Sequence, residues 1–303
     1  RDEGIRRFCV DSAQTAAALR KAGLVDEEIL MLHSTSDREV LEQLCDLNAV
    51  CSIGTLEAGM ALNSLAEGRA TVIEAHLQID CGMGFGGFPA EEPEKIVSLI
   101  RNLPNVAVSG IYTQLASKHA MDVQLSAFQQ AVDAIQAAGC ETGIIHAAGS
   151  YAMLRSDLSH LDAVRAGSVL LGRCRRTRGD GLLTVGRGES QVDSIRWLPK
   201  GHTVGNERHV TLRRSTRVAV IPVGYQQGYG VDKPISGFWD AIQRLFRARC
   251  RTVRVNGQRA RVLGALGATE TLLDVTGIKC SEGDTVTFDL NPLYARGFRR
   301  EYR

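Results

Sequence analysis

The sequence of 303 residues predicts a parallel α/β barrel of the (β/α)₈ type, followed by a mostly β domain. Two observations predict this organisation, the first for the fold class and the second for the boundary between its parts. Apolar runs of strand length alternate with helix-period stretches as far as residue 172, and beyond it strand and hairpin patterns take over. The charge changes sign at the same place. We therefore expect two domains, over residues 1–172 and 173–303.

The first part contains seven apolar runs that are typical of buried strands. They are Phe8–Val10, Ile29–Leu32, Ala49–Ile53, Thr71–Ile79, Val106–Thr113, Gly143–Ala147 and Ala163–Ala166. Helix-period stretches lie between them, at Gln14–Ala22, Asp37–Leu47, Leu56–Ala66, Glu92–Asn102 and Val123–Ala138. Such alternation predicts parallel strands with right-handed crossovers. Because the sequence opens like the tail of a helix, we expect one more strand–helix unit ahead of Arg1 to complete the barrel. An open, doubly wound sheet is the alternative.

The second part has a different pattern. Strands are predicted at Arg213–Val223, Thr252–Leu263, Leu272–Val275 and Asp284–Leu290, and a helix at Phe238–Arg249. The second of these strands is folded at Asn256-Gly257, a strong hairpin signal. A stretch rich in glycine and arginine, Arg173–Gly188, links the two parts.

Composition and charge exclude some classes of protein and make others less favoured. No apolar run is long enough for a membrane span, and the eight cysteines form no C-x-x-C pair. With no visible signal peptide, we expect a reduced, cytoplasmic protein. Residues 173–303 hold 24 basic and 12 acidic side chains, whereas residues 1–172 hold 12 basic and 22 acidic ones. The opposite charges predict attraction between the parts, within a chain or across a dimer. Nucleic-acid binding is the less favoured alternative, since no recognition-helix motif accompanies the arginines.

Polar residues follow several predicted strands at the end where such barrels place their active sites. A glycine-rich run, Asp80–Phe88, follows the fourth strand. His146–Ser150 ends the next-to-last strand, and Ser150 is predicted to cap a short helix over Tyr151–Ser156. Asp162–Ser168 ends the last strand, so a phosphate site at these two neighbouring strand ends is one interpretation. No metal-ligand cluster stands out, and the other histidines, His76 among them, are interpreted as surface or core residues.

Taken in order, these segments resemble the alanine racemase family, whose members carry pyridoxal phosphate. The resemblance runs from about Ile5 to Phe298. It is carried by Ile79–Gly84, Ser109–Thr113, His146–Ser150, Val164–Gly167, Ile221–Tyr225 and Val255–Gly257. It implies that a barrel binds the cofactor and that the β domain completes the active site of a second subunit in a head-to-tail homodimer.

The resemblance also implies roles for individual residues. Ser150, Gly167 and Ser168 would contact the phosphate of the cofactor. Arg165 would face its pyridine nitrogen, with His146 behind the arginine. A substrate pocket for a small amino acid would be formed by four further residues. They are Phe85, Gln114, Tyr225 at the mouth of the cleft, and Ala268.

Several positions depart from the family pattern. The lysine that forms the Schiff base would lie ahead of Arg1. The tyrosine that acts as the second base aligns with Asn206, and an amide cannot serve as a proton base at neutral pH. Phe85 stands where the family has an arginine, and Gln114 where it has a histidine. Gln78 and Gly149 also depart from the pattern.

Three functions therefore stay open at this level. The first is a degenerate racemase that binds the cofactor and acts weakly or not at all on alanine. The second is an active racemase of altered specificity, with Glu207 or a water molecule replacing the tyrosine. The third is a non-catalytic partner subunit or binding protein.

Overall fold

The computed structural model describes residues 4–116, 120–174, 181–205, 209–231 and 251–301. These residues form two units. The first runs to Leu170 and includes Cys174, and the second comprises Leu171–Arg173 and the described residues from Gly181 onward. The predicted helix Phe238–Arg249 lies outside the described residues. No helix in the described ranges has both the length and the apolar character needed to cross a membrane.

A parallel sheet is the framework of the first unit. Its strands are β1 (Arg7–Val10), β2 (Glu28–Ser34), β3 (Val50–Ile53), β4 (Ile73–Asp80), β5 (Phe88–Pro89), β6 (Val106–Thr113), β7 (Ile144–Gly149) and β8 (Ala163–Arg165). They pair in the order β1-β2-β3-β4-β6-β7-β8, and β5 pairs with the end of β4. All these pairings are parallel. The barrel strands predicted from the sequence are confirmed.

Helices connect the strands as the alternation predicts. They are α1 (Ala13–Lys21), α2 (Arg38–Asp46), α3 (Leu56–Gly68), α4 (Pro93–Arg101), α5 (Met121–Ala137) and the short α6 (Ser150–Met153). Side-chain oxygens of Ser12 and Thr55 accept from backbone amides at the starts of α1 and α3. At α2 the cap is Asp37, which accepts from Glu39 N and Val40 N. A carboxylate at this position also suits the positive end of the helix dipole.

The core of the first unit lies between these helices and the sheet. Its largest fully buried side chains include Ile29, Ile53, Leu77, Ile111 and Phe128. Both faces of a parallel sheet are covered, so its strands are nearly continuous apolar runs. This is why their positions could be recognised from the sequence.

An antiparallel sheet forms most of the second unit. Its strands are β9 (Arg187–Gln191), β10 (Ser194–Leu198), β13 (Thr216–Ile221), β14 (Thr252–Val255), β15 (Gln258–Leu263), β16 (Thr271–Asp274) and β17 (Thr285–Asp289), and a separate ribbon pairs β11 (Thr203–Val204) with β12 (Val210–Thr211). The hairpin between β14 and β15 turns at Asn256 and Gly257, with φ of 48° and 80°. Two positive φ values are what a tight two-residue hairpin requires. The prediction of a β-rich second part is confirmed.

Candidate active site in the barrel

A buried guanidinium at the end of β8 is the centre of the polar network in the barrel. Arg165 Nη1 donates to His146 Nδ1 at 2.6 Å, and Nη2 donates to the carbonyl oxygens of Thr113 at 2.7 Å and Ala147 at 3.1 Å. Nη2 also donates to Gln114 Oε1 at 3.0 Å. The arginine therefore ties together the ends of β6, β7 and β8, and its orientation is fixed by several acceptors.

A pair of histidines continues this network into the barrel. His146 Nε2 lies 2.9 Å from His76 Nδ1, and both side chains are buried. Because arginine has only donors, His146 Nδ1 must accept from Arg165, so the proton of a neutral His146 is on Nε2. His146 therefore donates to His76, and the proton of a neutral His76 is on Nε2. The hydrogen bonds define one direction, from Arg165 through His146 to His76.

Burial keeps both imidazoles neutral. It lowers the pKa of His76 to about 4 and the pKa of His146 to about 2, and the positive charge of Arg165 acts in the same direction on each pKa. Burial also lowers the pKa of Arg165 itself. At neutral pH the network thus contains one cation and two neutral rings.

These low pKa values predict that the barrel loses stability in mild acid. The pKa of His76 is near 6.5 when unfolded and about 4 when folded. Its stabilising contribution is complete above pH 6.5 and is lost as the pH falls from 6.5 towards 4, because protons bind the unfolded state first. We expect His76 alone to reduce the free energy of unfolding by about 1.5 kcal/mol between pH 6.5 and pH 5.

Urea unfolding at pH 7.5, 6.5 and 5 tests this dependence. Both tryptophans, Trp197 and Trp239, lie beyond residue 172. Hydrogen exchange in peptides from β4 and β6 can therefore follow the barrel, while tryptophan fluorescence follows the second part of the chain. His76→Asn should reduce the dependence on pH, and the same change at the exposed His33 should not. If the free energy of unfolding falls equally steeply with pH in the wild type and in His76→Asn, the low pKa assigned to His76 would be contradicted.

An aromatic ring supports the network from the side. The Tyr112 ring is stacked on His146, with centroids 5.1 Å apart and planes 18° apart, and Arg165 Cζ lies 5.3 Å from the Tyr112 centroid. The Tyr112 hydroxyl bonds to Leu32 O at 2.8 Å and Ser52 Oγ at 3.0 Å. Tyr112 is thus held at both ends, and burial raises its pKa to about 12. It remains protonated and serves as a platform.

Ser150 connects the ends of β7 and β8. Its Oγ accepts from Gly167 N at 2.9 Å and from Val169 N at 3.3 Å. A hydroxyl has one hydrogen to donate and two positions that accept, and both accepting positions are used here. The hydroxyl hydrogen is the part left to donate. Ser168 lies between the two amides in sequence and is partly buried.

The predicted capping role of Ser150 is wrong. The short helix α6 begins at Ser150 itself, its N-cap is Gly149, and no side chain caps it. The serine hydroxyl is instead turned towards the chain after β8, because Gly167 and Val169 offer two amides there.

The glycine-rich loop after β4 is ordered by two polar side chains. Asp80 accepts from the backbone amides of Gly82, Met83 and Gly84 at 2.8–3.1 Å. Gln78 Nε2 donates to Gly86 O at 3.0 Å. Phe85, at the tip of this loop, has 75% of its surface exposed. No hydrogen bond or ring contact within the described ranges joins Phe85 to the other predicted site residues.

The remaining predicted residues fall in the second unit. Tyr225 begins a short 3₁₀ turn and is exposed, and its backbone amide donates to Gly267 O at 3.0 Å. The next amide, of Gln226, donates to Ala268 O at 3.0 Å. The second unit therefore brings Tyr225 and Ala268 together. Asn206 and Glu207 lie outside the described residues.

Sequence reasoning brought together Arg165, His146 and Ser150 but did not find His76 or Tyr112 as members of the network. A signal for the histidine was present. Together with Glu74, Gln78 and Asp80 it forms a series of polar residues at alternate positions of β4, so all four lie on one face of the strand.

The fold and the site define a class of protein: a parallel barrel with a β-rich second domain, whose strand ends carry an arginine–histidine network beside a serine. Two family models match the chain, "Alanine racemase, N-terminal domain" over residues 1–174 and "Alanine racemase, C-terminal domain" over residues 185–291. The chain belongs to the alanine racemase family.

Individual relatives agree with this assignment. An alanine racemase of Geobacter sp. (strain M21) is 27% identical over 298 residues, which are 94% of this chain and 74% of that protein. A broad specificity amino-acid racemase of Vibrio vulnificus (strain CMCP6) is 32% identical over 92% of this chain and 67% of that protein. The solved structure of alanine racemase from Bartonella henselae with covalently bound pyridoxal phosphate has a TM-score of 0.75 and 21% identity. The match covers 96% of this chain and 77% of that one.

Proposed function

We propose that the barrel binds pyridoxal phosphate and that the protein acts weakly or not at all on alanine. The observation that carries the cofactor assignment is the Ser150 hydroxyl. Its two accepting positions are filled by the amides of Gly167 and Val169, so that it can only donate outward, as an anion requires. A phosphate is the matching group, and Gly167 and Ser168 are the neighbours assigned to it.

Arg165 fits the other end of the cofactor. Both of its Nη atoms are occupied by protein acceptors, whereas no acceptor in the described residues is hydrogen-bonded to Nε. The Nε–H group can therefore donate to a pyridine nitrogen, and His146 holds the guanidinium in place from behind. Bound there, the cofactor would supply an acceptor for the negative charge that develops at a substrate α-carbon.

The positions expected to transfer protons match the family pattern less well than the positions that hold the cofactor. Asn206 stands at the position of the family tyrosine, and an amide neither accepts nor releases a proton at neutral pH. Phe85 stands where the family has an arginine, so the positive charge of that side chain is missing. Gln114, in the place of a histidine, is used to accept from Arg165. This combination supports a degenerate member of the family that retains its cofactor.

An active racemase of altered specificity is the second candidate. The relative from Vibrio vulnificus that is 32% identical is described as a broad specificity amino-acid racemase. Phe85 and Ala268 would then admit a larger or less acidic amino acid, with Glu207 or water as the second base. The third candidate is a non-catalytic partner subunit. For the two racemase candidates we propose a cytoplasmic, head-to-tail homodimer. Its domain boundary is at residue 172, and the opposite charges of the two parts favour association.

Cofactor binding is the first test. The full-length protein is titrated with pyridoxal phosphate, reduced with borohydride and digested, and the labelled lysine is identified by mass. We expect one labelled lysine, and we expect Ser150→Ala to weaken binding roughly tenfold or more, because one charge-assisted hydrogen bond is lost. Ser98→Ala, on the exposed face of α4, is the matched control. The absence of any labelled lysine would refute both enzyme assignments.

Proton exchange separates the two enzyme candidates. Exchange of the α-proton in deuterated water is measured for alanine and for a panel of larger and basic amino acids. We expect little exchange with alanine, and an increase of about a hundredfold in Asn206→Tyr, which restores a base. Rapid exchange of a larger amino acid by the wild type would establish the second candidate instead. Co-purification with another racemase chain and no cofactor would favour the third.

A further inference from the structure

An exposed row of arginines lies on the hairpin between β14 and β15, in the second unit. Arg254 is on β14, and Arg259 and Arg261 are on β15. They alternate along the strands with residues buried in the core of this unit, which are Val253, Val255, Ala260 and Val262. Because successive side chains of a strand point to opposite faces, the three arginines share the face that is directed away from this core. We call Arg254, Arg259 and Arg261 the arginine face.

Two of these arginines are placed directly opposite each other. Arg254 is the register partner of Arg259, and like charges in this position destabilise an antiparallel pair. Hydrogen bonds spread the two side chains along the hairpin. Arg254 Nη1 donates to Gly257 O in the turn at 3.0 Å, and Arg259 Nε donates to Thr252 Oγ1, at the start of β14, at 3.3 Å. Both acceptors are neutral, so these bonds order the guanidinium groups without compensating their charge.

No carboxylate among the described residues forms an ion pair with the arginine face. Asp274 is the register partner of Arg261, but its carboxylate already accepts two hydrogen bonds from the chain that follows β16 and lies 3.6 Å from Arg214. Glu189 is separated from Arg254 by β17, which places their backbones roughly 10 Å apart. Three positive charges are therefore available to an anion from outside the chain.

We propose that the arginine face binds the phosphate backbone of a double-stranded nucleic acid without reading its sequence. A guanidinium group presents a planar fork of donors that matches two phosphate oxygens. Arg259 and Arg261 are about 7 Å apart along their strand, and each strand of a duplex presents a phosphate every ~3.4 Å of its axis, so each arginine can meet a phosphate of its own. The 24 basic and 12 acidic side chains of residues 173–303 add a long-range attraction.

The chemistry of the surrounding surface favours a duplex over other polyanions. No described residue on the outer faces of β14, β15 and β17 is aromatic, so the bases of a single strand would find no ring on which to stack. No large apolar side chain among residues 251–289 is exposed, so a lipid surface would gain no buried apolar area. Phosphate contacts fix the position of a protein on a duplex without sequence information, which requires no recognition helix. The proposal does not depend on the cofactor or on racemase activity.

Fluorescence anisotropy of a short labelled DNA duplex, titrated with the full-length protein at a series of salt concentrations, tests this binding. Each neutralised phosphate contributes about −0.9 to the slope of the logarithm of the affinity against the logarithm of the salt concentration. Three arginines therefore contribute about −2.7, which is roughly a fortyfold loss of affinity between about 50 and 200 mM salt. We expect two duplexes of unrelated sequence to bind equally well.

Variants locate the binding on the arginine face. Each of Arg254→Gln, Arg259→Gln and Arg261→Gln should reduce the steepness of the slope by about 0.9, and the triple variant by about 2.7. Arg299→Gln is the matched control, since it makes the same change of charge beside Phe298, which packs against Phe288 on the opposite face of the sheet. Its slope should equal that of the wild type.

The folding of the variants is checked by thermal unfolding, followed by tryptophan fluorescence. Arg259→Gln removes one of two directly opposed charges, so we expect its midpoint to be no lower than that of the wild type. A weaker affinity together with an undiminished midpoint assigns the loss to the missing phosphate contact.

Four results would overturn the proposal. The first is no change in anisotropy at low salt, and the second is an equal slope in the wild type and the triple variant. The third is an equal loss of affinity in Arg299→Gln and Arg259→Gln, which would show that only the overall charge matters. The fourth is tighter binding of a single-stranded oligonucleotide, of polyglutamate or of phosphatidylserine vesicles than of the duplex. The first and the fourth are measured on the unsubstituted protein, so they do not depend on whether a variant folds.

Discussion

Arg165→Met is expected to destabilise the barrel by about 3 kcal/mol and to abolish cofactor binding. The side chain donates to His146 Nδ1, to Gln114 Oε1 and to the carbonyl oxygens of Thr113 and Ala147. Methionine is similar in length but has no donor, so these acceptors lose their partner. Leaving a buried acceptor unpaired costs more than the hydrogen bond contributes when it is formed.

The expected result for Arg165 is measured by urea unfolding of the barrel and by titration with pyridoxal phosphate. Arg165→Lys retains the charge and should recover only part of both properties, since one ammonium cannot reach all the acceptors at the ends of β6 and β7. Arg155→Met is the matched control, because the Arg155 side chain is exposed and, within the described residues, its one recorded contact is with the Tyr151 ring, 5.3 Å away. If the barrel of Arg165→Met unfolds at the same urea concentration as that of the wild type, the central role of the guanidinium would be contradicted.

The sequence was sufficient for the barrel because most of its strands are largely apolar runs that alternate with helix-period stretches. Val106–Thr113 was predicted with the bounds that the structure shows, and Ala163–Arg165 to within one residue. Strands β9 and β10 were not predicted, since Arg187–Gln191 and Ser194–Leu198 are largely polar or exposed. β9 pairs with β17, nearly one hundred residues away, and β10 pairs with β13, about twenty residues away. A local sequence pattern contains no information about such distant partners.

The site was predictable to a smaller extent. Arg165, His146 and Ser150 were found because they lie at strand ends in recognisable segments. His76 was not found, because it is 70 residues from His146 in sequence. The two side chains meet only in the folded sheet, where β6 lies between their strands, β4 and β7. The orientation of Ser150 was also missed. A serine before a short helix is usually a cap. Here its hydroxyl accepts instead from two backbone amides, of Gly167 and Val169, which follow β8 in the chain.

A glycine on β6 makes the contact between the two histidines possible. Gly110 is the register partner of His76 on β4. A Cβ atom at Gly110 would lie 2.5 Å from Nδ1 and Nε2 of the His76 ring. Real Cβ atoms do not approach this closely, and the ring is buried and hydrogen-bonded to His146. The absence of a side chain at this one position therefore leaves the space that His76 occupies.

Gly110→Ala is accordingly expected to destabilise the barrel by about 2–3 kcal/mol, since the ring must leave its position and lose its bond to His146. Gly68→Ala is the matched control: no atom lies within 4 Å of a Cβ at the last residue of α3, and alanine favours a helix. In the background of His76→Ala the new methyl group enters space that the ring has vacated, so Gly110→Ala should cost little there. Additive effects in this double-mutant cycle, measured by urea unfolding, would show that the histidine does not depend on the glycine.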